Sequence, residues 1–267
     1  MVILGYDPLW MADMAAIARR AYVPRSGKEP GAIVLTRGDD VVIVERQMVR
    51  TVRGQVAAVV VSCKGTATVL QWVSNLRIRM RPAVYGGAKI HPGFWEAAEA
   101  LAAAVADAIR TIDPALPVYV GGHSRGGGIG KCLAFLLNKS VGISGVATFG
   151  CPRVGDAQWA ALYNVSLLPR TWSAINHNDI VTRLPLWRWG YRHCGRPVYI
   201  DRKQVVHPDA NMGRVWLDRM IGRVQALLQR RVGDGVRDHM QIRYAGILSS
   251  KATDFEEQFN QPERTLP

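Results

Sequence analysis

A serine lies in a glycine-rich stretch at residues 122–126, which read Gly-His-Ser-Arg-Gly. The apolar run 117–120 before it is typical of a buried strand, and from Ile129 onward apolar residues recur at helical spacing. Ser124 therefore lies at a tight turn between a strand and a helix. Such a turn pushes the serine hydroxyl out of the sheet, and glycines two residues before and after it avoid collisions of a Cβ with the adjoining elements. We predict that Ser124 is a nucleophile.

A carboxylate that could support this serine follows another predicted strand, at residues 171–176. Asp179 lies just beyond the end of that strand, two residues after His177. Enzymes built around this kind of strand–serine–helix turn carry their catalytic residues in the chain order serine, acid, histidine. Asp179 is therefore better placed than His177 to be the orienting acid, and the base is expected further along the chain.

The base is predicted to be a histidine, because a serine hydroxyl is a poor nucleophile until a nearby group accepts its proton. The chain has six histidines. We interpret His123, beside the serine, as a structural or shaping residue, and His91 as a helix cap or loop residue. His193, His207 and His239 follow the predicted acid. The residues alone favour the last two and do not choose between them.

Strands and helices alternate along the chain in an order that could bring these side chains together. Strands are predicted at 32–36, 41–45, 56–63, 117–120, 144–149, 171–176, 198–200 and 204–206, and helices at 9–22, 92–111, 156–163, 209–231 and after Ser124. Long crossovers between strands predict the α/β class, with a mostly parallel central sheet and helices on both faces. Reactive groups in such sheets gather at the carboxyl ends of the strands, where Ser124 lies.

Length and composition fit a single domain over residues 1–267. The chain is 48% hydrophobic and 21% charged, which is enough for a sizeable core. It has no uncharged apolar run of roughly eighteen residues, so we expect no transmembrane segment. The start, MVILGYDPLWMADM, lacks the basic and then apolar pattern of a signal peptide, which predicts a cytoplasmic protein or release without a conventional signal peptide. From about Ser249 a polar tail is expected to be poorly packed.

The charge and the cysteines bear on partners and metals. The formal net charge of +13 could attract nucleic acid or anionic lipid headgroups. The stretch 187–193 mixes aromatic and basic residues, but the chain carries no nucleic-acid motif, so no nucleic-acid partner is expected. The four cysteines lack C-x-x-C spacing and lie mostly in apolar runs, which favours buried free thiols over disulfides or a zinc site.

Six short motifs, in order along the chain, resemble the class 3 lipases, the α/β-hydrolases that include the fungal triacylglycerol lipases. They are Lys64-Gly65-Thr66 with Trp72, His91-Pro92-Gly93-Phe94, the stretch 122–127, the stretch 148–155, Asn178-Asp179-Ile180-Val181 running to Leu184-Pro185, and Asp238-His239 with Tyr244. The resemblance spans roughly residues 57–244. It implies an α/β-hydrolase fold, with Ser124 as nucleophile, Asp179 as acid and His239 as base. It also implies an oxyanion hole formed by Thr66 and the backbone N–H of Arg125.

By the same resemblance, residues 67–76 correspond to a lid. The apolar residues that would meet lipid have near-helical spacing and are Val69, Leu70, Trp72, Val73 and Leu76. The alternative is an ordinary surface helix packed on the core. The arginines that follow, Arg77, Arg79 and Arg81, would favour an anionic lipid–water interface.

The function that the resemblance implies is that of a lipase: a serine carboxylester hydrolase that cleaves acyl glycerols or related water-insoluble esters through an acyl-enzyme, without cofactor or metal. The alternatives are a small-ester esterase, a phospholipase A1, or a non-catalytic lipid-surface binding protein that kept the fold. The joint presence of Ser124, Asp179 and His239 argues against a binding protein, which has no chemical need for all three. Arg125, where the family usually has leucine, departs from the pattern, as do Lys64 and Cys151.

Overall fold

The computed structural model of the chain describes residues 5–23, 31–65, 80–82, 86–211, 213, 215, 218, 220 and 234–259. Thr66, the predicted lid at 67–76 and the last residues of the predicted polar tail lie outside these ranges. Most of the predicted helix at 209–231 also lies outside them.

Ten strands are present in the described part of the chain. They are β1 (Ala32–Arg37), β2 (Asp40–Thr51), β3 (Gly54–Cys63), β4 (Arg81–Pro82), β5 (Lys89–Ile90), β6 (Val118–His123), β7 (Ile143–Phe149), β8 (Thr171–Asn176), β9 (Arg196–Ile200) and β10 (Val206–Pro208). Eight of them form one sheet in the order β1-β2-β3-β6-β7-β8-β9-β10, and β4 pairs with β5 separately. The pairings from β3 to β9 are parallel, and the two margins of the sheet are antiparallel. The predicted, mostly parallel centre of the sheet is confirmed.

Helices cover both faces of this sheet. They are α1 (Pro8–Arg20), α2 (Pro92–Ile112), α3 (Arg125–Val141), α4 (Ala157–Leu167), α5 (Asp234–His239) and α6 (Gln241–Phe259). One buried cluster joins the sheet to α2, α3 and α4, and a second joins the opposite face to α1 and α6. In β3, Val59, Val61 and Cys63 belong to the first cluster, whereas Ala58 and Val60 belong to the second. This strand is therefore apolar at successive positions because both of its faces are buried.

The strands β2 and β3 are longer than predicted. They form a continuous antiparallel pair from Val42, opposite Cys63, to Thr51, opposite Gly54. The part beyond Glu45 reads as polar sequence, with Arg46, Gln47 and Arg50. Pairing between the two backbones extends the strands here, although the side chains do not have the composition of a buried strand.

The predicted polar tail from Ser249 differs from the structure as far as Phe259, where the chain continues α6. Ala252 is fully buried, and Phe255 packs against the cluster shared by α1 and α6. These two residues lie three positions apart on one helix face, and this spacing is sufficient to seat a mostly polar helix. In the part of the chain that the structure describes, none of the helices has the length and hydropathy needed to cross a membrane.

Candidate active site

Ser124 lies between the last residue of β6 and the first residue of α3 and has a strained backbone. Its φ is 56° and its ψ is −128°, a combination that non-glycine residues rarely adopt. The backbone N–H of Ser124 donates to the carbonyl of Phe149, at the end of β7, over 2.9 Å. Strain of this kind costs on the order of 1–3 kcal/mol and is typical of functional sites.

The two glycines that flank Ser124 permit a close approach of backbones. A Cβ on Gly122 would lie 2.5 Å from the carbonyl carbon of Gly126. A Cβ on Gly126 would collide with the carbonyl of Cys63, at the end of β3. A side chain at either position would therefore force α3 away from the sheet, as the glycine pattern predicts.

Asp179 and His239 form a buried acid–base pair at the carboxyl edge of the sheet. Asp179 follows β8, and His239 is the last residue of α5. The Nδ1 atom of His239 lies 2.9 Å from each carboxylate oxygen of Asp179, and the side chains are 1% and 0% exposed, respectively. Because a carboxylate only accepts, Nδ1 carries a proton, and Nε2 is the nitrogen that the predicted role as base requires. No hydrogen bond to Nε2 is formed by the described residues.

Two further donors hold the Asp179 carboxylate. The Tyr244 hydroxyl donates to Oδ2 over 2.6 Å, and the backbone N–H of Val181 donates to Oδ1 over 2.8 Å. The Tyr244 hydroxyl also accepts from the backbone N–H of Asn176, the last residue of β8, over 2.8 Å. Tyr244 therefore joins α6 to the strand that precedes the acid. The sequence motif included this tyrosine but assigned it no role; its place five residues after His239 is the signal that could have revealed one.

Gly150 is a second residue whose contribution the sequence reasoning missed. Its φ is 57°, and a Cβ built on it would lie 2.7 Å from Oδ2 of Asp179 and 2.9 Å from Nδ1 of His239. The acid–base pair thus packs directly on the backbone that follows β7. The position before Cys151, in a turn between a strand and a loop, gave no local sign of this contact.

His123 supports the main chain of His239, consistent with a structural or shaping role. Its Nε2 donates to the His239 carbonyl over 2.6 Å, and its Nδ1 accepts from the Tyr22 hydroxyl over 2.8 Å. Burial lowers the pKa of His123 well below its ordinary value, and the neighbouring His239 lowers it further; the hydrogen bond to the His239 carbonyl opposes these effects only in part. The ring is therefore neutral and connects Tyr22, just beyond α1, to the main chain of His239.

The other candidate histidines lie elsewhere. The Nε2 atom of His207 pairs with Asp201 over 2.9 Å within the β9–β10 hairpin, and Nε2 of His193 contacts the Thr182 carbonyl over 2.8 Å. His91 caps α2 by accepting from the backbone N–H of Gly93 over 3.1 Å. Among these histidines, His239 alone is paired with the predicted acid.

Of the two predicted oxyanion residues, the structure describes Arg125 but not Thr66. Arg125 is the first residue of α3, where a backbone N–H has no partner within the helix. Its guanidinium donates to both carboxylate oxygens of Asp40, over 3.0 and 2.8 Å, and to the Gly93 carbonyl over 3.1 Å. Thr66 lies outside the described residues. Its neighbour Gly65 packs close to the end of β6, where a Cβ on Gly65 would lie 2.6 Å from the His123 carbonyl.

Within the described ranges no group of three or more histidine, cysteine or acidic side chains is arranged to bind an ion. The four cysteines are buried free thiols, as expected. Burial raises the pKa of the Cys63 thiol to about 12 and that of Cys151 to about 11, which keeps these groups protonated and unreactive.

Comparison with known proteins links this geometry to a family. Residues 60–189 match the family model "Lipase (class 3)". The chain is 31% identical over 147 residues to the secreted mono- and diacylglycerol lipase 1 of Fusarium solani, a match that covers 54% of this chain and 44% of that protein. It is 30% identical over 115 residues to the secreted mono- and diacylglycerol lipase 2 of Gibberella zeae, covering 39% and 28%. The aligned part thus spans less than half the length of the curated relatives that it matches.

A solved structure extends the likeness to the fold. The crystal structure of a lipase from Rhizopus microsporus var. chinensis superposes with a TM-score of 0.62 at 22% identity, covering 71% of this chain and 73% of that one. The predicted α/β-hydrolase fold and the resemblance to the class 3 lipases are confirmed.

The expected compartment is contradicted by the same comparison. Both relatives are named as secreted proteins, which disagrees with the cytoplasmic location inferred from the first residues. A charge pattern in a few residues tests for one kind of sorting signal only, so it is a poor basis for assigning a compartment.

Proposed function

Because residues 60–189 of this chain match the class 3 lipase family model, we propose that the protein is a serine hydrolase that cleaves carboxylic esters of glycerol or related water-insoluble esters. The observation that carries this proposal is the buried pair of His239 and Asp179, 2.9 Å apart, at the sheet edge where Ser124 occupies a strained turn. A protein that only binds lipid would have no need to keep an imidazole in one tautomer at the sheet edge that carries such a serine.

In the proposed mechanism, Ser124 Oγ attacks the ester carbonyl carbon while His239 Nε2 takes the hydroxyl proton. Asp179 fixes the tautomer and stabilises the imidazolium that forms. The imidazolium then donates its proton to the departing alcohol, which leaves an acyl group on Ser124. A water molecule attacks that acyl group, gives its proton to His239, and releases the fatty acid as the serine recovers its hydrogen.

The oxyanion that forms in each tetrahedral intermediate needs fixed donors. The backbone N–H of Arg125 is proposed as one donor, because it immediately follows the nucleophile at the start of α3. Thr66 is proposed as the second. The bond from Ser124 N–H to the Phe149 carbonyl supports this arrangement, since it anchors the turn that aims the Arg125 N–H.

The surface around the site supports action at a lipid–water interface. Ile180 follows the acid and is 43% exposed, while Met240 and Ile242 follow the base and are 53% and 51% exposed. The predicted lid at 67–76 would add to this apolar rim. Arg19 and Arg20 line a groove between α1 and α6 and, with the net charge of +13, favour an anionic interface.

The relatives support a narrower substrate class. Both are named mono- and diacylglycerol lipases and secreted proteins, so we propose partial acylglycerols as preferred substrates and an extracellular site of action. Triacylglycerol, phospholipid and small soluble esters are the competing substrates.

The test compares the intact protein, Ser124→Ala and the control Ser249→Ala, which changes an exposed serine of α6. Each is assayed on emulsified mono-, di- and triacylglycerol, on phosphatidylcholine and on a short p-nitrophenyl ester. We expect fatty-acid release that disappears only in Ser124→Ala and is fastest from partial acylglycerols. Failure of the intact protein on every substrate, or full activity of Ser124→Ala, would instead point to a lipid-binding protein. Faster release from phosphatidylcholine would make it a phospholipase, and turnover of the soluble ester alone an esterase.

A further inference from the structure

Three consecutive residues at the end of β8 contact Asp238, the residue directly before the proposed base. The Asn176 side-chain amide donates to the Asp238 carbonyl over 2.9 Å. The Nδ1 atom of His177 lies 3.3 Å from Oδ2 of Asp238, and the backbone N–H of Asn178 lies 3.3 Å from the same oxygen. The segment that leads to Asp179 therefore contacts the helix that carries His239 at the residue directly before this histidine.

His177 has features that a turn residue does not need. Its φ is 30°, in the left-handed region that a histidine seldom occupies. Its side chain is only 16% exposed, and its second ring nitrogen, Nε2, lies 3.9 Å from a carboxylate oxygen of Asp218. The strained backbone aims the imidazole at Asp238, whose side chain is 8% exposed and is also contacted by Arg243 over 3.2 Å.

The base depends on such contacts because it is the last residue of its helix. Helix α5 ends at His239, and the end of a helix lacks part of the intrahelical hydrogen bonding. The main chain at His239 is held by the bond from His123 to its carbonyl, and the main chain at Asp238 by the bond from Asn176. The segment that carries the acid also contacts the Asp238 carboxylate itself, through the His177 ring and the backbone N–H of Asn178.

We propose that His177 and Asp238 are positioning residues for catalysis: their contact fixes α5 against the Asp179 loop and so keeps His239 aimed at Ser124. Neither side chain touches the reacting atoms. The inference rests on the proposed function, since it assigns a purpose to the orientation of His239. It gives the histidine that directly precedes the acid motif a role distinct from that of the base.

Two substitutions distinguish the loss of the contact with Asp238 from the loss of the imidazole ring itself. In His177→Asn the amide occupies the position of Nδ1 and can still donate to Asp238, whereas in His177→Gln the amide reaches the position of Nε2 instead. The control is His207→Asn, whose shorter amide does not reach the position of Nε2 and therefore breaks the 2.9 Å pair with Asp201 in the β9–β10 hairpin. Because asparagine also tolerates positive φ, the melting temperature of each variant is measured, and kcat is expressed per active site titrated with a phosphonate ester.

On a soluble p-nitrophenyl ester we expect His177→Gln to lower kcat by roughly tenfold or more with KM within about twofold, because a misaimed base weakens only the transition state. His177→Asn should recover most of kcat, and His207→Asn should match the wild type. Combining His177→Gln with Asp238→Asn should lower kcat no further than the more damaging single change, because both substitutions remove the same contact.

The outcomes separate the two proposals. If Ser124→Ala abolishes turnover but His177→Gln keeps kcat within about twofold of the wild type, the positioning role is wrong and the hydrolase stands. The positioning role is also wrong if His177→Asn loses as much kcat as His177→Gln at equal melting temperature. If Ser124→Ala retains turnover, the proposed nucleophile itself is wrong.

Discussion

At the scale of single residues, the site is defined as much by a missing side chain as by the side chains present. Gly150 has a φ of 57°, and its Cα lies against the acid–base pair closely enough that a Cβ would meet Asp179 and His239. A glycine at this position lets β7 end directly beneath the pair. Gly150, which has no reactive group, therefore limits the space available to the His239 ring.

We predict that Gly150→Ala lowers kcat on a soluble ester by about a hundredfold, because the new methyl group must displace the imidazole. The control is Gly142→Ala, at the end of α3, which has a similar φ of 68° but nothing within 4 Å of a Cβ. Both changes should lower the free energy of unfolding by about 1–2 kcal/mol from the positive φ alone. Urea unfolding and ester kinetics measure the two effects, and equal kcat in the two variants would contradict the account.

The Tyr244 hydroxyl is a second residue-scale determinant, since it donates to Asp179 and accepts from Asn176. Removing it in Tyr244→Phe leaves a buried N–H unpaired and should lower the free energy of unfolding by about 1–3 kcal/mol. The loss of one donor to the acid should also lower kcat.

The matched control for that change is Tyr163→Phe, which removes a buried hydroxyl bonded to Thr171 over 2.9 Å, away from the site. It should cost a similar free energy of unfolding and leave kcat unchanged. Parallel losses of kcat in both variants would mean that Tyr244 only stabilises the fold.

At the scale of elements, Arg125 connects the helix that follows Ser124 to one strand and one other helix. Its guanidinium joins α3 to Asp40 at the start of β2 and to Gly93 in the first turn of α2. The side chains of the pair are 19% and 14% exposed, so a single unpaired charge here would be poorly solvated. The departure from the usual leucine thus acquires a structural explanation.

We predict that Arg125→Leu lowers the free energy of unfolding by roughly 1–3 kcal/mol, because it leaves the partly buried Asp40 carboxylate without its ion-pair partner. Adding Asp40→Asn should recover part of that loss by removing the charge. Urea unfolding of both variants measures the effect. A double variant no more stable than Arg125→Leu would show that the carboxylate is not the source of the cost.

Elements also explain which parts of the site were predictable from sequence. The strand, turn and helix around Ser124 are contiguous, so local spacing and glycines sufficed to predict them. The choice between His207 and His239 was not local, because the pairing of His239 with Asp179 joins residues 60 positions apart. The buried part of the tail escaped notice since Ala252 and Phe255 alone mark its inner face.

At the scale of the whole molecule, basic residues lie at both the carboxyl and the amino ends of the parallel strands. Only the carboxyl ends carry the candidate active site. Arg19 and Arg20 end α1, next to Tyr22, which contacts His123 at the carboxyl edge. Arg53, in the turn before β3, and Lys139, in the last turn of α3, lie at the opposite edge. Only the first pair would face a membrane that the active site approaches.

We predict that the Ser124→Ala protein binds phosphatidylcholine vesicles containing phosphatidylglycerol more tightly than pure phosphatidylcholine, and that salt weakens this binding. Arg19→Gln with Arg20→Gln should weaken it by about fivefold per arginine. Arg53→Gln with Lys139→Gln removes the same charge and should have a smaller effect. Equal losses in a cosedimentation assay would mean that net charge, rather than orientation, drives binding.

The most direct test of the central claim, that Ser124 is the nucleophile and His239 its base, is labelling by diethyl p-nitrophenyl phosphate followed by peptide mass spectrometry. The account predicts one diethyl phosphate on Ser124 per active molecule, loss of ester turnover in proportion, and much slower labelling of His239→Gln. A label on another residue, or continued hydrolysis by a protein fully labelled at Ser124, would contradict it.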